Sequence, residues 1–144
     1  MKRGFTLIEL AVTLFVLALA VSVSAPSLAR GVDTVRARSE TAGIATFLRA
    51  ARERAITHNR PYEVQVKTEE GVLELHAGGT VLAVRRAAPG VRVILEPPTS
   101  GRVMFLPQGL SSGAQLRVEG PGRRAYLVTV NALTGRVATR RLDT

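Results

Sequence analysis

An α+β fold is predicted by a change of period near residue 60 and by the turn signals that follow it. Before Pro61 the apolar residues recur at helical spacing; after it they alternate, with Gly- or Pro-rich breaks every few residues. A third observation sets the N-terminal element. From Phe5 to Ala25 the chain is apolar apart from one charge, Glu9. The expected architecture is one long N-terminal helix packed on an antiparallel, β-rich C-terminal domain.

The apolar run follows a short basic start, Met1-Lys2-Arg3-Gly4. As a helix it rises about 30 Å, the thickness of a bilayer's hydrocarbon core. Pro26 comes directly after it and kinks or ends helices. A cleaved secretory signal has a shorter apolar run and a small-x-small site, which Ser22-Val23-Ser24 or Ser24-Ala25-Pro26 imitates loosely. A plain signal anchor accounts for length and orientation, with Lys2 and Arg3 left in the cytoplasm. Neither accounts for Glu9. A carboxylate inside a membrane costs a few kcal/mol unless it has a partner. Val12 and Thr13, at i+3 and i+4, supply no cation. An amine released by cleavage after Gly4 would.

Beyond Pro26, Leu28, Val32, Val35 and Ala42, then Ile44, Leu48, Ala51 and Ala55, continue a helical stripe to about residue 58. The stripe shifts near Gly43, and Asn59-Arg60-Pro61 ends it. Arg30, Arg36, Arg38, Arg49 and Arg52 lie mostly off the stripe and are expected on a solvated face. Tyr62–Lys67, Val72–His76, Val81–Arg86 and Val91–Leu95 read as strands. So do Arg102–Leu106, Gln115–Glu119, Arg123–Val130 and Arg136–Leu142. The last two flank Asn131-Ala132-Leu133-Thr134-Gly135 and are expected to form a hairpin.

The formal charge of +9 is uneven: residues 1–76 carry +2 and residues 77–144 carry +7. Eighteen of the twenty basic residues are Arg, which fits compositional bias, heat adaptation or a polyanion-binding face. With no cysteine there is no disulfide and no thiol chemistry. His58 and His76 lack carboxylates at metal-ligand spacing. Ser111-Ser112-Gly113 lacks the glycines of a nucleophile elbow. Gly78-Gly79 lacks the Gly-Lys-Ser/Thr of a phosphate loop. The chain therefore reads as a non-enzyme without cofactor or metal. One basic constellation stands out: Arg123, Arg124, Arg136, Arg140 and Arg141. Pairing of the last two strands would bring Arg123/Arg124 and Arg140/Arg141 to one end, where guanidiniums hold phosphates of double-stranded DNA. Alternation puts Arg136 and Arg140 on one face and Arg141 on the other. A basic edge strand that discourages aggregation accounts for the same residues.

Gly4-Phe5-Thr6-Leu7-Ile8-Glu9-Leu10 resembles the class III signal of type IV pilins and type II secretion pseudopilins. The resemblance implies cleavage after Gly4 by a prepilin peptidase, N-methylation of Phe5, and a role for Glu9 in subunit registration. Pro26 falls where pilins commonly have a kinking Pro. Three further segments resemble the GspH/FimT branch: the AR-x-x-A-I-x-x-N pattern at Ala51–Asn59, F-x-P-x-G at Phe105–Gly109, and TGR-V at Thr134–Val137. The implied organisation is a leader at 1–4, a transmembrane and filament-core helix at 5–26, its amphipathic continuation at 27–60 and a β domain at 61–144. The implied partners are the prepilin peptidase, other pilins or pseudopilins, and the inner membrane. FimT-like minor pilins bind DNA for uptake through a carboxy-terminal G-R-x-R element. Here Gly135-Arg136-Val137-Ala138 departs from it, because Arg140 comes two residues late.

Overall fold

The computed structural model describes residues 6–96, 101–121 and 124–142; for residues 23–33, within the helix, side chains are not described. Helix α1 runs Leu7–Thr57, 51 residues or about 76 Å. Thr6 caps it: its extended backbone turns the side-chain oxygen to accept from the Glu9 N–H at 3.3 Å. The other end closes in a Schellman arrangement. Asn59 is left-handed (φ 49°), Asn59 N–H donates to Ile56 O and Arg60 N–H to Ala55 O. Pro61 then keeps the chain from continuing as helix.

The domain covers one face of α1: Ala37, Thr41, Ile44, Ala45, Leu48, Ala51 and Ala55, all buried. The Ile44–Leu48–Ala55 face is the one expected. Of the first half of the expected stripe, Leu28 and Val32 lie among the residues whose side chains are not described, and Val35 (69% exposed) and Ala42 are not on that face. The reason is what lies opposite. A methyl placed on Gly120 would collide with Ala37 Cβ, so backbone rather than a side-chain layer meets the helix there. At Gly43 the Arg85 guanidinium lies across the helix and pairs with Glu40 at 3.2 Å.

Eight strands follow: β1 Tyr62–Lys67, β2 Val72–Ala77, β3 Thr80–Arg86, β4 Arg92–Glu96, β5 Arg102–Phe105, β6 Ala114–Glu119, β7 Ala125–Val130 and β8 Val137–Leu142. They make two antiparallel four-stranded sheets, β3-β2-β1-β5 and β4-β6-β7-β8. Strands β7 and β8 begin two and one residues later than expected, at Ala125 and Val137. The inner faces bury Val64, Leu73, Leu75, Val103 and Phe105 from one sheet and Val93, Leu116, Val118 and Val128 from the other. These side chains and the buried helix face form a single core. Ser111–Gly113 stitches the sheets together. Met104 pairs with Ser112 through main chain and Oγ, while Ser111 N–H donates to Ala132 O and Ser111 Oγ to Asn131 O. Those serines are seam residues.

Candidate functional site

The helix itself is the first candidate surface. Of the residues expected to act in processing, Gly4 and Phe5 lie outside the described residues. Pro26 lies among those whose side chains are not described. Glu9 is exposed in the first turn of α1, three residues after its cap. That Thr6-x-x-Glu9 spacing is a helix-start signature, which the sequence reading passed over. A carboxylate there also complements the positive end of the helix dipole. Leu7, Ile8, Leu10, Leu14, Phe15 and Leu17 are 51–88% exposed. Among the described residues nothing covers them, and a contiguous exposed apolar surface of this kind marks an interaction site. Among the described residues no helix is long and apolar enough to cross a membrane; the described side chains of the run stop at Ser22.

The second candidate is a latch at the far end of the helix. Arg52 Nε donates to Thr134 O at 3.1 Å and to Gly109 O at 3.4 Å. Arg49 Nη2 donates to Val137 O at 3.1 Å. Arg49 is exposed, as expected of a solvated face, and Arg52 is half-buried; both add bonds to the domain that the solvated reading left out. A charged donor to a carbonyl contributes about 1.5–3 kcal/mol, and here both donors hold the end of the chain against the helix. Gly135 is buried and left-handed (φ 59°), and a methyl there would strike Gly109 O and Arg52 Nε. The loop before it is an Asx turn, Asn131 Oδ1 accepting from Leu133 N–H and Thr134 N–H at 3.0 Å each. The three short segments picked out in the C-terminal two-thirds therefore meet at one point. Arg52 comes from the first, Gly109 from the second, and Thr134 and Gly135 from the third.

The basic hairpin is the third. Tyr126 pairs with Arg141, Leu127 with Arg140 and Val130 with Val137, and β8 is the edge of its sheet. Arg124 thus stands near Arg140 and Arg141, whereas Arg136 is at the opposite end, beside the turn. Arg123 lies outside the described residues. Arg140 shares the outer face of the sheet with Arg117 and Arg92, residues not singled out from the sequence. Its alternation partner Arg141 lies on the face of Tyr126 and Val128.

On the outer face of the other sheet, Lys67 Nζ is 2.7 Å from Glu74 Oε1, and His76 Nε2 is 3.1 Å from Glu74 Oε2. The Lys67 hydrogen bond, helped by His76 and opposed by burial, holds the Glu74 carboxyl below the ordinary carboxylate range. The same bond raises Lys67. His58, at the helix end, lies 3.3 Å from Tyr62 Oη and ties the cap to β1. Among the described residues no three His, Asp or Glu side chains gather closely enough to hold a metal ion.

Comparison with known proteins accounts for this geometry. The model of the family described as type II transport protein GspH matches residues 40–134, which contain all three latch segments up to Thr134. The chain belongs to the GspH family. The prokaryotic N-terminal methylation motif matches residues 1–25. The type II secretion system protein H of Xanthomonas campestris pv. campestris is 28% identical over 145 residues, covering 99% of this chain and 85% of that one. Two solved structures share the fold. The type IV minor pilin FimU of Pseudomonas aeruginosa matches at 14% identity and TM-score 0.57, over 74% of this chain and 98% of that one. The minor pseudopilin EpsH of Vibrio cholerae matches at 15% identity and TM-score 0.58, over 77% and 95%. This GspH-type chain has the pilin-like α+β fold: a long N-terminal helix laid across antiparallel sheet.

Proposed function

We propose that this GspH-family chain is a non-catalytic minor pseudopilin of a type II secretion pseudopilus. The observation that carries the reading is the division of α1. From Ala37 onward one face is buried by the domain, while Leu7–Val21 presents large apolar side chains that the domain does not touch. A helix built that way belongs first in a membrane and then in a bundle of like helices. In this reading a prepilin peptidase removes residues 1–4 and the new amino-terminal Phe5 is methylated. Residues 5–26 hold the subunit in the inner membrane, and Pro26 marks the end of that segment. Residues 27–60 carry the helix out to the exported β domain, 61–144. Glu9 meets the amine of a neighbouring subunit when the helices stack with other pilins or pseudopilins.

The relative from Xanthomonas and the methylation motif support the reading. Amino-terminal mass spectrometry of the protein from its host tests it. The expected mature chain starts at Phe5 and is heavier by one methyl group. A start near Ser27 would identify an ordinary secretory signal and sink the pseudopilin reading.

Capture of double-stranded DNA for uptake, through Arg123, Arg124, Arg136, Arg140 and Arg141, is the alternative. No particular distance or contact favours it, and Arg136 stands the length of β8 away from Arg140 and Arg141.

A further inference from the structure

The outer face of the second sheet holds a cleft of about 460 Å³ lined by Gly90, Arg92, Arg117, Glu119, Gly120, Arg124 and Ala125. Strand register brings its parts together from distant places. Arg92 is paired with Glu119 and Glu119 with Ala125, while Arg117 sits one row along between Ile94 and Leu127. Two guanidiniums, of Arg92 and Arg117, therefore meet one carboxylate, and Arg124 lines the same cleft. Arg92 Nη2 lies 2.8 Å from Glu119 Oε2, with the Arg92 side chain 77% exposed. Arg117 is stretched between two acids, Nη1 at 3.5 Å from Glu96 and Nε at 3.9 Å from Glu119. Its Nε is buried and makes no hydrogen bond among the described residues. The side chain of Arg124 makes no ion pair among the described residues, while its carbonyl is pinned by Gly120 N–H at 2.9 Å. Counting both carboxylates that these arginines meet, Glu96 and Glu119, one positive charge is left in excess.

We propose that this cleft is a docking site for a carboxylate-bearing segment of a neighbouring subunit; the identity of that neighbour rests on the pseudopilin reading above. Guanidiniums clamp carboxylates with paired, charge-assisted hydrogen bonds. The size suits one or two acidic side chains. Strand β4 is an edge of its sheet, so its outward main-chain groups can bond to an extended segment alongside. A run of phosphates fits worse. Glu96 and Glu119 break the positive stripe that a nucleic-acid backbone follows, and Arg136 is too far away to extend it.

Fluorescein-labelled hexaglutamate is titrated with the full-length protein in detergent micelles and followed by anisotropy. The double variant Arg92→Gln/Arg124→Gln is compared with Arg36→Gln/Arg38→Gln, which removes the same charge from the exposed helix face. The cleft variant is expected to bind about tenfold more weakly, some 1.4 kcal/mol, and the helix variant within about twofold of the parent. Equal losses would overturn the proposal by showing bulk attraction only. So would a short DNA duplex that competes more strongly than hexaglutamate and is weakened by the same cleft variant. In isolated pseudopili, carbodiimide treatment of an Arg124→Lys variant is expected to join this position to an acidic residue of another subunit. Pseudopili that contain the variant without that link overturn the proposal. Pseudopili that never contain the chain overturn the pseudopilin reading and leave the hexaglutamate result standing.

Discussion

Gly135 is the residue on which the packing of the chain's end depends. Its left-handed backbone would strain any other residue by about 1–2 kcal/mol, and a methyl would also displace Gly109 O or Arg52, adding about 1–3 kcal/mol of overpacking. Gly135→Ala is expected to destabilise the full-length protein by about 2–5 kcal/mol in urea denaturation. Gly78→Ala is the comparison, since Gly78 has φ 57° with nothing within 4 Å of the added carbon. Equal losses for the two would mean that the latch contributes nothing. Glu74 shows a different residue-scale effect. Its carboxyl is held below the ordinary carboxylate range, chiefly by the Lys67 hydrogen bond. A lowered carboxylate contributes stability that is present above its unfolded pKa and is lost as pH falls through the folded one. The melting temperature of the parent should therefore exceed that of Glu74→Gln at pH 7. The gap should close as pH drops below about 4, the ordinary range of a carboxyl group. A gap that stays constant from pH 7 to pH 3 would show that the titration of Glu74 is uncoupled from folding.

At the scale of the element, α1 is two helices in one. The outer part has a buried face of small residues where loops and Arg85 lie close, and Ile44 and Leu48 where sheet side chains interlock. In the inner part, Leu7–Val21, the large apolar side chains are exposed. Glu9 sits in that inner part, and its main-chain N–H, not its carboxylate, bonds to Thr6. Glu9→Ala therefore keeps the cap and removes only the charge. Membrane insertion should be eased by roughly 2–3 kcal/mol, while incorporation into the filament falls. The variant should accumulate in the membrane fraction and be depleted from sheared pseudopili. Normal recovery of the variant in those filaments would refute an intersubunit role for the carboxylate.

Across the whole molecule, the helix is the spine against which two sheets close; Arg52 ties back to it the loop before the last strand over 82 residues of sequence, and Arg49 ties the strand itself over 88. The helix, its end at Asn59-Arg60-Pro61 and the eight strands were legible in the sequence, because period and turn chemistry are local. Val35 was misplaced because periodicity marks a stripe but not what lies opposite it. Sheet membership was not legible: β4 and β5 are neighbours in sequence yet belong to different sheets, and nothing local distinguishes them. Nor were the roles of Arg49 and Arg52, because their acceptors are main-chain carbonyls, which every residue type carries. The arginine cleft had no signal either. Arg92, Arg117 and Arg124 come from separate segments; antiparallel register sets Arg92 and Arg117 beside Glu119, and Arg124 lines the same cleft. What the sequence determined by itself was the plan of one long helix followed by short antiparallel strands, because helix period, strand alternation and turn chemistry act between near neighbours. What tertiary structure decided was which arginines hold the chain together and which face outward, because that depends on contacts between residues far apart in the chain.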